Sequence, residues 1–155
     1  MAPARPTPVR PTVDHATLAT RDLAATADAL AAAGVETVAG GTHADGTTRM
    51  RLATFPDGSY LELIATTRGT DPADAGYWPD LLAADAGPCA WAVRADGDAA
   101  DAAVRAVRAG FPVDGPHPGG RRRPDGTRLS WDAVTVGDRW RGLLPFVVAD
   151  RTRRA

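Results

Sequence analysis

Two stretches of the chain share one pattern of apolar and polar positions: VDHATLATRDLAATADALAAAGV (13–35) and CAWAVRADGDAADAAVRAVRAGF (89–111). Each opens with a short extended run and passes into an Ala-rich helical run that ends at glycine. They align without a gap at an offset of 76. In the first, Asp22 stands at the N-cap position and Leu23, Ala27, Leu30 and Ala31 recur at helical spacing, which predicts a helix over about 23–33 closed by Gly34. In the second, Asp98 takes the cap, Ala100, Ala103, Val104 and Val107 form the expected apolar face, and Gly110 ends it.

Each helical run is followed by extended segments joined by turns. The first half carries HADGTTRMRLATF (43–55), a PDG turn (56–58) and SYLELIA (59–65). The second carries RPDGTRLSWDAV (123–134), a GDRWRG turn and LLPFVVAD (143–150). The shared D-G-T is a hairpin signal. Each half therefore reads strand, helix, strand, strand, strand, a duplicated βαβββ module of the α+β class. The modules are placed at 12–65 and 88–150, within one domain over 12–150. The linker 66–87 is Gly- and Pro-rich, with a short helix expected near 80–84. The Pro-rich start, 1–11, and the last five residues, 151–155, read as tails, the first of them disordered.

Composition narrows the partners. A chain of 155 residues with net charge −1 supports one domain with a core, and presents no overall field to draw it to nucleic acid or an anionic membrane. All 18 basic residues are arginine, and Asp far outnumbers Glu, a bias of coding rather than of chemistry. A single cysteine, Cys89, rules out an internal disulfide, and the charged, proline-rich start lacks the apolar stretch of a secretory signal, so the expected location is cytoplasmic. No run of about 18 apolar residues is present to span a membrane. Nucleophile-elbow, P-loop, dinucleotide-binding and C-x-x-C motifs are absent.

The candidate chemistry sits in the strands. Alternation sends His15 to the same side as Val13 and Thr17, opposite Leu18, and groups Glu62 with Tyr60 and Ile64 against Leu61 and Leu63. A histidine facing a carboxylate forms a proton acceptor with an orienting partner, or a satisfied polar pair in a core. Tyr60, Trp91 and Trp131 are the expected aromatic wall of a ligand site, with Arg49 and Arg123 as substrate contacts. His43 and His117 fall in segments read as turn or loop.

The D-H dipeptide before an R-D-L helix start, together with GTTRM, DGSYLELI, CAWAV and RRRPDGT, resembles the vicinal oxygen chelate superfamily, in its glyoxalase-like branch. The resemblance covers about residues 12–150. It implies two tandem βαβββ modules whose curved mixed sheet surrounds a cleft, the glyoxalase / bleomycin resistance / dioxygenase fold. It also implies a divalent metal held from the first and last strand of each module. Of those four positions, His15 and Glu62 suit a metal. The third falls at Trp91, with Cys89 on its face and Ala90 as the answer if the register slips by one. The fourth falls at Val147 or Ala149, with Asp150 at the strand's end. The expected cofactor is therefore a divalent ion (Zn, Mn, Fe or Ni) in a degenerate site, or none. The function implied is a lyase, isomerase or oxygenase acting on a small organic molecule through His15 and Glu62; the alternative is a sequestering protein of the bleomycin-resistance type. A homodimer is the expected assembly.

Overall fold

The computed structural model describes residues 11–137 and 142–153. Most of the expected N-terminal tail, the centre of the GDRWRG turn and the last two residues lie outside them. The first module runs β1 (Thr12–Ala19), α1 (Leu23–Ala32), β2 (Val38–His43), β3 (Thr48–Thr54) and β4 (Tyr60–Thr66). A 3-10 turn (Pro72–Asp74) and α2 (Pro79–Ala84) occupy the linker. The second module repeats the order as β5 (Gly87–Arg94), α3 (Ala99–Arg108), β6 (Val113–Arg122), β7 (Arg128–Val136) and β8 (Phe146–Asp150). The last strand begins three residues later than its apolar run.

In each module the chain crosses by its helix to the far strand and returns through two hairpins, so that the fourth strand lies parallel to the first: β4 beside β1 and β8 beside β5. The eight strands close in the order β1-β4-β3-β2-β6-β7-β8-β5. The seam between β1 and β5 is long, from Thr12↔Arg94 to Ala19↔Gly87. The opposite seam rests on two pairs, Thr42↔Arg122 and His43↔Arg121. Gly41 makes that second approach possible. It sits at a bulge in β2 with φ +104°, and a side chain there would run into the Arg122 carbonyl.

Helix α1 starts where the Asp22 carboxylate accepts from the Ala24 and Ala25 amides. It buries Leu23 and Ala27, with Leu30 behind them, on Leu63 and Ala65, the outward face of β4; Ala31 stays exposed. Helix α3 corrects its predicted face. The stripe on the sheet is Ala99 and Ala103, against Val134 and Ala149, with Ala102 also buried, while Val104 and Val107 are about half exposed. Alanines let the helix backbone come close to a wall already filled by Val134, and β-branched side chains on that stripe would hold it away. The linker crosses one end of the barrel, where Ala75, Trp78 and Leu82 pack on Ala19 and Ile64. That plug leaves the remainder of the interior open.

Candidate functional site

The interior is a cavity of about 940 Å³. Strand alternation decides which side chains line it. From β4, Tyr60 and Glu62 face inward while Leu61 and Leu63 lie under α1. From β7, Trp131, Ala133 and Thr135 line it, and Val134 takes the helix side. Strand β1 departs from strict alternation: its register with β5 shifts between Val13 and His15. Val13 is consequently exposed, and the neighbours Asp14 and His15 are both buried.

Glu62 is the centre of the arrangement and only 5% exposed. Its Oε2 accepts a hydrogen bond from the Thr17 hydroxyl at 3.2 Å and lies 3.9 Å from His15 Nε2. Its Oε1 lies 3.8 Å from Nε2 of His43. Each imidazole is anchored by its other nitrogen: His15 Nδ1 to the Asp14 carboxylate at 2.6 Å, and His43 Nδ1 to the Thr48 hydroxyl at 2.7 Å. Aromatic rings fix the planes. Tyr60 stacks on His15 with centroids 4.6 Å apart, Phe146 meets His15 edge-on, and Tyr77 leans on His43. Burial pushes the His43 pKa below its ordinary value, since a charged imidazole there loses its water, and the Glu62 charge opposes the shift in part.

The structure therefore brings together His15, Glu62, Tyr60 and Trp131, with Arg123 also on the cavity wall. Two expected contacts are corrected. Trp91 lies outside the cavity: it is paired with the exposed Ala16, while Ala90 and Ala92 stand opposite Thr17 and His15 and point inward. Arg49 alternates with the buried Met50 and points out of the barrel, its Nε donating to the Thr66 carbonyl. The parity of β8 is corrected as well. Val147 and Ala149 pack beneath α3, and Phe146, Val148 and Asp150 face the cavity. Cys89 turns toward Ala19 and Ile64, its thiol donating to the Thr17 carbonyl.

Two histidines read as turn or loop residues belong to strands. His43 ends β2 and is 6% exposed; His117 lies in β6 on the cavity wall, largely exposed, with Nε2 bonded to Asp114 at 2.7 Å. His43, Asp14, Tyr77 and Phe146 are the members that pattern reading did not supply. The D-H dipeptide was the available signal for Asp14.

The donors present do not make the metal centre that the resemblance implies. His15 and Glu62 converge, but the inward positions Ala90 and Val148 of the second module offer only carbon, and the Asp150 carboxylate on the cavity wall completes no metal-holding group with them. Among the described residues no three His, Cys, Asp or Glu side chains form a group that could hold a metal ion. The donor set does not fit the four-strand metal centre, and none of the chemistry below is routed through one.

A duplicated βαβββ barrel with a polar centre inside defines the class, and comparison with known proteins assigns the family. Residues 13–155 match the family described as the Glyoxalase-like domain, and the chain belongs to it. No curated protein matches the chain. A hypothetical protein from Staphylococcus aureus shares the fold with a TM-score of 0.73 at 13% identity; the match covers 93% of this chain and 60% of that one, so this chain spans three fifths of its length. A Streptomyces coelicolor methylmalonyl-CoA epimerase variant in complex with 2-nitronate-propionyl-CoA gives 0.61 at 26% identity, covering 90% of this chain and 97% of that one. A methylmalonyl-CoA epimerase in complex with methylmalonyl-CoA and NH4+ gives 0.62 at 25% identity, covering 92% and 96%.

Proposed function

We propose that this protein binds a small organic molecule in the barrel cavity and moves a proton on it, as an isomerase or lyase, with Glu62 as the proton acceptor and His15 as its partner. The observation that carries this reading is the placement of Glu62: a buried carboxylate with an anchored imidazole facing each of its oxygens. A carboxylate takes a proton from a carbon acidified by a neighbouring carbonyl, and the electron pair stays on the substrate as an enolate. An imidazole close by accepts or returns a proton within the same closed space. Both events need only groups present in the cavity. Tyr60, Trp131 and Arg123 are the proposed ligand contacts, two aromatic faces and one guanidinium for an anionic end. The epimerase likeness supports proton transfer as the class of reaction.

The test is proton NMR in deuterium oxide on a panel of small 2-substituted acids and acyl thioesters. Loss of the α-proton signal with wild-type protein, and at least a 100-fold slower loss with Glu62→Gln, is the expected result. Carbon at the inward positions Ala90, Phe146 and Val148 favours a second reading, sequestration without chemistry. Saturable binding with no exchange for any bound ligand establishes that reading in place of the first.

A further inference from the structure

We infer that Asp14 is a positioning residue of the centre: it dictates which nitrogen of His15 carries the resting proton and so turns the ring's basic nitrogen toward Glu62. The inference deepens the proton-transfer reading above and rests on it for its catalytic meaning.

Asp14 is fully buried, although simple alternation would send it out of the barrel. The shift in register between β1 and β5 at this point tucks it inside the wall, directly behind the histidine. Its Oδ1 lies 2.6 Å from His15 Nδ1, and its Oδ2 accepts from Arg94 Nε at 3.1 Å. An ionised carboxylate is only an acceptor, so the hydrogen of that short contact belongs to Nδ1. Nε2 is then the nitrogen free to gain and lose a proton, and it is the one that faces Glu62 at 3.9 Å. The stack on Tyr60 and the edge of Phe146 hold the ring in this plane. When Nε2 takes a proton, the resulting imidazolium lies between the carboxyl groups of Asp14 and Glu62. Arg94 orients the carboxylate from the neighbouring module, reaching also to the Gly58 carbonyl at 3.3 Å. The whole line runs from the half-exposed Arg94 through Asp14 and His15 to Glu62, an acid–base centre with a built orientation.

Long-range proton–nitrogen NMR of the full chain, with the ring neutral, reads the tautomer directly and requires no substrate. The expected spectrum of wild type shows His15 protonated at Nδ1, with Nε2 bare. Asp14→Asn is expected to move the ring toward the Nε2-protonated form and to slow α-proton exchange by up to roughly 10⁴-fold, whereas Asp14→Glu keeps the wild-type tautomer. A His15 protonated at Nε2 in wild type overturns the inference, as does an Asp14→Asn spectrum unchanged from wild type. The wild-type measurement decides even if the Asn variant does not fold. Exchange absent from wild type while the tautomer shift is seen refutes the proton-transfer reading alone and leaves the positioning of His15 standing.

Discussion

Trp131 lies across Gly119, its direct partner between β7 and β6: a Cβ built on the glycine would stand 2.7 Å from indole Cε2 and closer still to Nε1. The glycine is therefore the seat of one aromatic wall of the cavity, and the backbone there has an ordinary φ, so space rather than conformation demands it.

Gly119→Ala is expected to push the indole out of its seat. Because Trp131 borders open cavity, the ring has room to move, and the cost in stability should stay near the low end of the ~1–3 kcal/mol typical of overpacking. Ligand binding should suffer more than folding. Titration of a ligand identified by the exchange screen, together with a thermal melt, checks this; unchanged affinity with a large loss of stability would show that Trp131 supports the fold and not the site.

Which side of the barrel wall a residue takes was legible in β1 and β4 and not in β5, for a physical reason. His15 and Glu62 follow from alternation in β1 and β4, because both strands have one face under α1 and their leucines mark it. In β5 the side-chain parity depends on register shifts against β1 that only the paired strand reveals, so the inward places expected of Trp91 belong to Ala90 and Ala92. Asp14 was hidden by the same bulge. His43, expected in a turn, is the last residue of β2: the hairpin signal at Asp45–Gly46 sets the strand end within two residues of it. Arg49 is different: its alternation with Met50 was visible in the chain and already argued for the outside.

The two helices offer a contrast in stability. Leu63 is fully buried between β4 and α1, so Leu63→Ala should cost ~2–5 kcal/mol, the range for a core leucine with no means of collapse. Val104 and Val107 were predicted for a buried face and are about half exposed, so Val104→Ser should shift stability by no more than about 0.5 kcal/mol beyond its small gain or loss in helix propensity. Urea titrations of the two variants compare them directly. A large loss at Val104 would mean that the exposed side of α3 is covered in solution.

Cys89 should be a poor nucleophile in the folded protein. Burial raises its thiol to about 11, so at pH 8 only about one molecule in a thousand carries the thiolate that reacts. Alkylation by iodoacetamide at pH 8 is expected to be slow in buffer and fast in denaturant, where the thiol regains its ordinary acidity. Rapid modification of the native chain would show that the wall between β5 and β1 opens readily, since Cys89 is held there against the Thr17 carbonyl.

His43 ties stability to pH through a sign that can be worked out. Its pKa in the folded state lies below the ordinary value of 6.5, because desolvation outweighs the attraction of Glu62 and Asp45, with Arg121 and His15 acting in the same direction as burial. Below about pH 6.5 the unfolded chain takes up a proton that the folded chain refuses, and binding by the unfolded state draws the equilibrium toward it. The contribution of His43 is thus complete above pH 6.5, falls away as the pH drops from 6.5 toward the folded value, and levels off below it. His43→Gln removes this dependence while keeping a group that can bond Thr48. Urea midpoints measured from pH 8 to pH 5 should diverge between wild type and variant, with the wild type losing more stability on the acid side. Parallel curves would mean that His43 carries its proton inside the barrel, bridging to Glu62 as an ion pair instead of facing it as a neutral base.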